Sequence, residues 1–245
     1  MEVRKISVVD AISFAFRAML DHIRLFFFVF LVGTGLIAVV VGIIGFFNMG
    51  LLTALADTPM FQSFQECVGT RCFTVVYQSG WPFVQFVVNH ALPLLLSGFL
   101  LSLFFVGLDL GFKAIALDVY DTNQGKVETL WSRFNLVLTG FCAWTLYCTM
   151  MWIGFLFFIV PGIIVLLRFG FFPFLIIDKH LSIIDSLKQS YEITREHIWD
   201  LFAFWVVIKI IMYVGSLTYI GIIVTWPLST LAYAYVYRQL MPKMQ

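Results

Sequence analysis

The sequence predicts an all-α polytopic membrane protein, with six transmembrane helices in three hairpins and amphipathic helices in the cytoplasmic interface. Three observations point to that class. Of 245 residues, 61% are hydrophobic and 12% charged, whereas a soluble domain has about 45–50% apolar and about 25% charged residues. Six apolar segments recur along the chain, near the roughly 20 residues that a helix needs to cross a bilayer. Lys and Arg gather at one side of those segments, as basic residues do on the cytoplasmic side. The net charge of +1 is uninformative as a total for a membrane chain, and the lack of a basic stripe points away from nucleic acid as a partner. No loop carries a core pattern of its own, so residues 1–245 are read as one membrane domain.

The first element is an interfacial helix over 6–24. Apolar Val8, Ile12, Phe16, Met19 and Ile23 recur at three- and four-residue steps, while Asp10, Arg17, Asp21 and Arg24 take the remaining face. That pattern suits a helix lying flat in the headgroup region. The first span follows over 25–47. Ala54, Leu55 and Ala56 resemble a signal-peptide cleavage site, but the preceding apolar run is about twice the length of a signal core, so Met1 onward is expected to be kept. Residues 48–81 then form an extracytoplasmic loop. Within it Cys67 and Cys72 enclose four residues, and an oxidising compartment permits a disulfide between them.

The second and third spans cover 92–117 and 136–160. Pro161–Gly162 then makes a tight outer turn into a short fourth span over 163–177. A second interfacial helix over 182–198 precedes the fifth span at 201–214, and Leu217–Tyr219 turns the chain into the sixth at 220–237. Arg4, Lys5, Arg17 and Arg24 precede the first span. Lys126, Arg133, Lys179, Lys188, Arg195, Arg238 and Lys243 lie on the same side, against Arg71 alone on the other. Both termini are therefore expected in the cytoplasm.

The most specific signal is an internal repeat. Residues 6–27 align without gaps to 181–202, and Ser7/Ser182, Asp10/Asp185, His22/His197, Ile23/Ile198 and Phe27/Phe202 are identical. Each copy opens with Ser-x-x-Asp, which predicts a helix capped by the serine with the acid near its positive end. A weaker relative begins at Lys126. Three units follow, each an interfacial helix leading into a transmembrane hairpin. The two histidines suit either a structural helix-end role or a pH-responsive one.

Three ionisable residues fall inside the spans: Asp109, Arg168 and Lys209. A charge at mid-bilayer costs on the order of 2.5–3.5 kcal/mol, so such groups face the interior and find partners. Asp109 is expected to pair with Arg168, with Lys209 joining them or reaching toward water. Lys113, four residues after Asp109, is the competing partner. The cluster fits a structural ion pair that fixes helix register, or a polar site on a transport or lipid-headgroup path. Cys142 and Cys148 read as packing residues, and Asp118 and Asp121 as solvated loop residues.

The stretch from Pro161 to Phe202 resembles the YciC-like group of uncharacterised bacterial inner-membrane proteins, related to the membrane domain of some glycerophosphodiester phosphodiesterases. Pro161, Gly162, Arg168, Pro173, Asp178, Ser186, Leu187 and Ser190 occupy the places of that family's motif. The resemblance implies six helices and an inner-membrane location. Enzymatic activity does not carry over, because no soluble phosphodiesterase domain accompanies the motif. The sequence holds no metal-ligand, nucleophile-elbow or phosphate-loop motif, and no catalytic residue, metal or cofactor is expected. The function expected is that of a membrane scaffold or envelope-maintenance protein, binding lipid, another membrane protein or a second copy of itself. The alternative is a transporter of small solutes or lipids centred on Asp109, Arg168 and Lys209.

Overall fold

The structure, a computed structural model, describes residues 7–47 and 72–241. Among the described residues every regular element is helical. Helices α1 (Val8–Asp21) and α2 (Ile23–Phe47) are followed by α3 (Cys72–Thr122) and the single turn α4 (Thr129–Ser132). A 3₁₀ turn at Phe134–Leu136 leads into α5 (Val137–Phe157), α6 (Ile159–Phe169), α7 (Phe172–Lys179) and α8 (Ile183–Thr194). Helices α9 (Ile198–Ser216) and α10 (Tyr219–Leu240) complete the chain. The loop expected over 48–81 is thus shorter than read, because residues 72–81 already belong to α3.

Five stretches are long and apolar enough to cross a membrane: Ile23–Phe46, Leu95–Thr122, Thr129–Phe157, Ile159–Lys179 and Ile198–Ser216. They fall on the first five expected spans. The segment expected as the sixth is helical, α10 of 22 residues, but it is not among these five, its apolar content being diluted by Thr225, Ser229, Thr230 and tyrosines. Large side chains such as Trp152, Leu156, Phe157 and Ile159 are exposed along their surfaces. In water such contiguous apolar faces drive association; hydrocarbon accepts them.

The chain divides into two units, Thr34–Ser102 and the combination of Met1–Gly33 with Leu103–Gln245. The first contains the rest of α2 and the leading part of α3, and exposes Val39, Ile43, Phe46, Leu95 and Leu100. The second is built around α10, whose Leu231, Ala232, Ala234, Val236 and Tyr237 have no solvent exposure. Helices α1 and α9 flank it. The chain turns at the extended Phe158 and not at Pro161–Gly162, which lie in the first turn of α6; α5 packs back along α6, and Gly154 lies so close to Gly162 that an added Cβ would meet its backbone at 3.0 Å.

The repeat is visible in backbone geometry. Ser7 Oγ accepts from Asp10 N at 3.2 Å, and Ser182 Oγ accepts from Asp185 N at 3.3 Å. His22 and His197 both sit at the joint between the capped helix and the long helix after it, with φ/ψ of −113/25° and −112/21°. Helix α1 packs through a face the sequence reading did not single out, burying Ala11, Ala15, Ala18 and Met19 and leaving Phe16 half exposed. The alanines win because small side chains let α1 approach α10 closely. Helix α8 buries Ser186, Leu187, Ser190 and Thr194, so hydroxyls and one leucine, with no continuous apolar stripe, dock it.

Candidate functional site

The candidate site lies at a break in the fourth expected span. Helix α6 ends at Phe169, Gly170 and Phe171 interrupt the ladder, and α7 restarts at Phe172 with Pro173 in its first turn. A proline there costs nothing, since first-turn N–H groups have no intrahelical acceptor. Helix α8 repairs the break. Ser190 Oγ donates to the Arg168 carbonyl at 2.8 Å and accepts from Phe171 N at 3.3 Å, and Thr194 Oγ1 donates to the same carbonyl at 3.1 Å. The serine and threonine singled out by neither charge nor apolarity are thereby explained: they satisfy backbone groups that a broken helix leaves open.

This docking relocates Arg168. Helix α8 exposes Lys188 and Glu192, and the turn after it exposes Arg195 and Glu196, all of which require water, and the helix touches Arg168 directly. The Arg168 guanidinium lies 4.5 Å from the centroid of the Tyr191 ring, a cation–π contact, and Nε has no hydrogen-bond partner. The expected pair with Asp109 does not form. Asp109 is instead bonded to Lys113, one turn along its own helix, because four residues bring two side chains to the same helix face without any cost of bringing helices together. Lys209 is exposed and lies 5.7 Å from the Trp205 ring centroid.

A different set of charges joins separate helices. Arg238, near the end of α10, donates to both Asp178 oxygens at 2.9 Å and to Asp121 at 2.5 Å, and Tyr237 Oη donates to Asp178 at 2.9 Å. One guanidinium therefore ties the ends of α3, α7 and α10, in the two-pronged geometry that suits arginine. Asp118 accepts from Thr129 Oγ1 at 2.8 Å. Neither aspartate is the free loop residue expected. Nothing in local sequence separated Arg238 from other tail cations; its partners lie 60 and 117 positions away.

Beside the break lies a cavity of about 250 Å³. Lys113 of α3 and Lys209 of α9 both line it, with Tyr147, Trp205 and Tyr233 among the aromatic walls and Gly170 at the break itself. Lys113 is the less exposed member of its pair, 20% against 43% for Asp109. Two of the three charges expected in the spans, Asp109 and Lys209, thus stand at this cavity or one contact from it, through Lys113. A second cavity, about 320 Å³, is lined by aliphatic and aromatic residues that include Ile164, Leu167, Ile198 and Phe202.

His22 lies with Nδ1 3.1 Å from the Ala18 carbonyl and Nε2 3.0 Å from that of Asn123. Cys148 is half-buried, whereas Cys142 is exposed on the outer face of α5 and so is not a packing residue; both thiols are free. The Cys67–Cys72 pairing lies outside the described residues. Among the described residues no three His, Cys, Asp or Glu side chains gather as a metal site would require. A family model, a domain of unknown function designated DUF7847, matches residues 84–241. No curated protein and no solved structure shows significant similarity to the chain.

Proposed function

Taking as premise that the chain belongs to the DUF7847 family, whose match covers most of its length, we propose that it is a non-enzymatic bacterial inner-membrane protein. It crosses six times with both termini in the cytoplasm, and it holds an anionic lipid headgroup as a scaffold of the envelope. The observation that carries the reading is the meeting of Lys113 and Lys209, from different helices, at one cavity with aromatic walls. The exposed Lys209 ammonium, with Lys113 beside it held by Asp109, attracts phosphate or carboxylate at a membrane helix break, and the tyrosines and tryptophan suit the boundary between headgroup and hydrocarbon. At about 250 Å³ the space is smaller than a pocket that encloses a drug-sized ligand, so it suits a headgroup and not a whole lipid. The YciC-like resemblance belongs to this proposal, supported by the burial of its motif residues Ser186, Leu187 and Ser190.

Thermal unfolding of the purified chain in mild detergent tests the reading. Saturating phosphatidylglycerol is expected to raise the midpoint by about 4–8 °C, phosphatidylcholine by much less, and Lys209→Ala to remove most of the difference. Equal stabilisation by both lipids would overturn it. A second reading, transport of a small anionic solute or lipid, is favoured by the helix break at Gly170 bordering the cavity, since transporter sites form at discontinuous helices. Flux of an anion across proteoliposomes, lost on Lys209→Ala, distinguishes it from the scaffold.

A further inference from the structure

The two cavities are neighbours. Leu167, itself 6% exposed, lines both of them. On α9 the residues alternate between them: Leu201, Phe204 and Trp205 face the lysine cavity, while Ile198, Trp199 and Phe202 face the other. A chamber edged by Lys209 and by the Lys113–Asp109 pair, and an apolar groove, therefore occupy adjacent faces of the same two helices, α6 and α9, with one leucine as the partition. The groove is open on its outer side, where Trp199 is 81% exposed.

We infer that the ligand of the lysine cavity is an anionic amphiphile, a phospholipid or fatty acid, and that one of its acyl chains lies in the groove across Leu167. The inference rests on the headgroup reading above. Charge and shape divide along the molecule as they divide along such a ligand: donors at one end, hydrocarbon at the other. A free phosphate or a small organic anion would use the lysines and leave the groove without purpose. Because a chain entering the groove leaves one hydrocarbon setting for another, the groove adds little hydrophobic free energy. What it contributes is direction, holding the ligand so that its head reaches Lys113 and Lys209. Phosphate and carboxylate heads share this chemistry, and the experiment separates them.

The full chain is placed in phosphatidylcholine nanodiscs with a small fraction of phosphatidic acid, or of fatty acid, carrying a diazirine in an acyl chain. A phosphatidylcholine with the same diazirine serves as control. After illumination, labelled peptides are identified by mass spectrometry. The anionic probes are expected to label residues 160–167 and 198–202 about fivefold more than the control, the discrimination one partly exposed charge contact supplies. Stronger labelling by phosphatidic acid assigns a phosphate head; stronger labelling by the fatty acid assigns a carboxylate. Lys209→Ala should reduce either to the control level. Ile164→Trp, which fills the groove at a half-exposed position, should abolish labelling there while leaving stabilisation by short-chain phosphatidylglycerol intact. Lysine-dependent labelling that falls on other segments would overturn the groove and leave the headgroup reading standing. Equal labelling of the groove by anionic and control lipids would overturn the inference, and anion-selective labelling indifferent to both lysines would overturn the headgroup reading beneath it.

Discussion

Arg238 carries more of the tertiary charge pairing than any residue that the sequence marked. Its guanidinium and Asp178 are each about one-fifth exposed, so the pair is neither solvated nor dry. Removing one partner of a fully buried pair costs about 3–5 kcal/mol, and an exposed pair under 1. Arg238→Ala is therefore expected to lose about 2 kcal/mol in chemical unfolding of the detergent-solubilised chain. Arg238→Lys should recover less than half, because an ammonium cannot bond both Asp178 oxygens at once. Asp121, with 41% of its side chain exposed, should matter less than Asp178; equal losses at the two aspartates would contradict the geometry. Asp109 offers a sharper contrast. In double-mutant cycles Asp109→Ala and Lys113→Ala should couple, while Asp109→Ala and Arg168→Ala should add within about 0.5 kcal/mol. Coupling of the second pair would restore the interhelical bridge that the structure lacks. These assignments were not legible in the sequence. Their place inside apolar spans marked Asp109 and Arg168 as charges in need of partners, but position along separate helices says nothing of which faces meet.

At the scale of elements the sequence was more informative, because capping is local. Ser-x-x-Asp fixed where α1 and α8 begin, and the matched His-Ile fixed the joints that follow them, since N-caps depend on residues three apart. What it did not disclose was which face each helix would bury. The apolar stripes were assigned to the membrane interface, and the contacts within the protein are made by other residues: α1 packs through alanines and α8 through hydroxyls. In both cases the deciding factor is the partner: α10 needs close approach, and the broken end of α6 needs donors. Ser190→Val should accordingly cost about 1–3 kcal/mol by stranding the Arg168 carbonyl and the Phe171 N–H, and should raise amide exchange at residues 168–172 before the rest of the chain. Unchanged exchange there would remove the capping role. Gly111 gives a packing test, since a Cβ at that position would meet the Leu130 carbonyl oxygen at 2.6 Å. Gly111→Ala is expected to destabilise by about 1–3 kcal/mol through forced displacement of α4, measurable by the same unfolding assay, whereas Gly35→Ala, with nothing within 4 Å among the described residues, should be neutral or stabilising.

For the whole molecule, composition gave the class directly: a chain this apolar cannot hide its side chains from water, and the described helices expose them. Five membrane-length segments were legible because length and hydropathy are additive properties of a stretch. The break at Gly170 was not, since residues 163–177 read as one apolar run and only packing from α8 explains how it can be interrupted. The cavity was legible in part. Lys209 and Asp109 drew notice as charges in apolar surroundings, but Lys113 entered only as a rival partner for Asp109, and the convergence of α3, α6, α9 and α10 around one space depends on contacts between residues far apart in the chain. The central claim is that this space selects lipids by charge through its two lysines. Native mass spectrometry of the chain released from detergent with equal amounts of phosphatidylglycerol and phosphatidylcholine measures that selection most directly. The account predicts a preference for the anionic lipid of about tenfold, falling close to unity in the Lys113→Ala, Lys209→Ala double variant; a preference that survives loss of both lysines, or none in the unaltered chain, would contradict it.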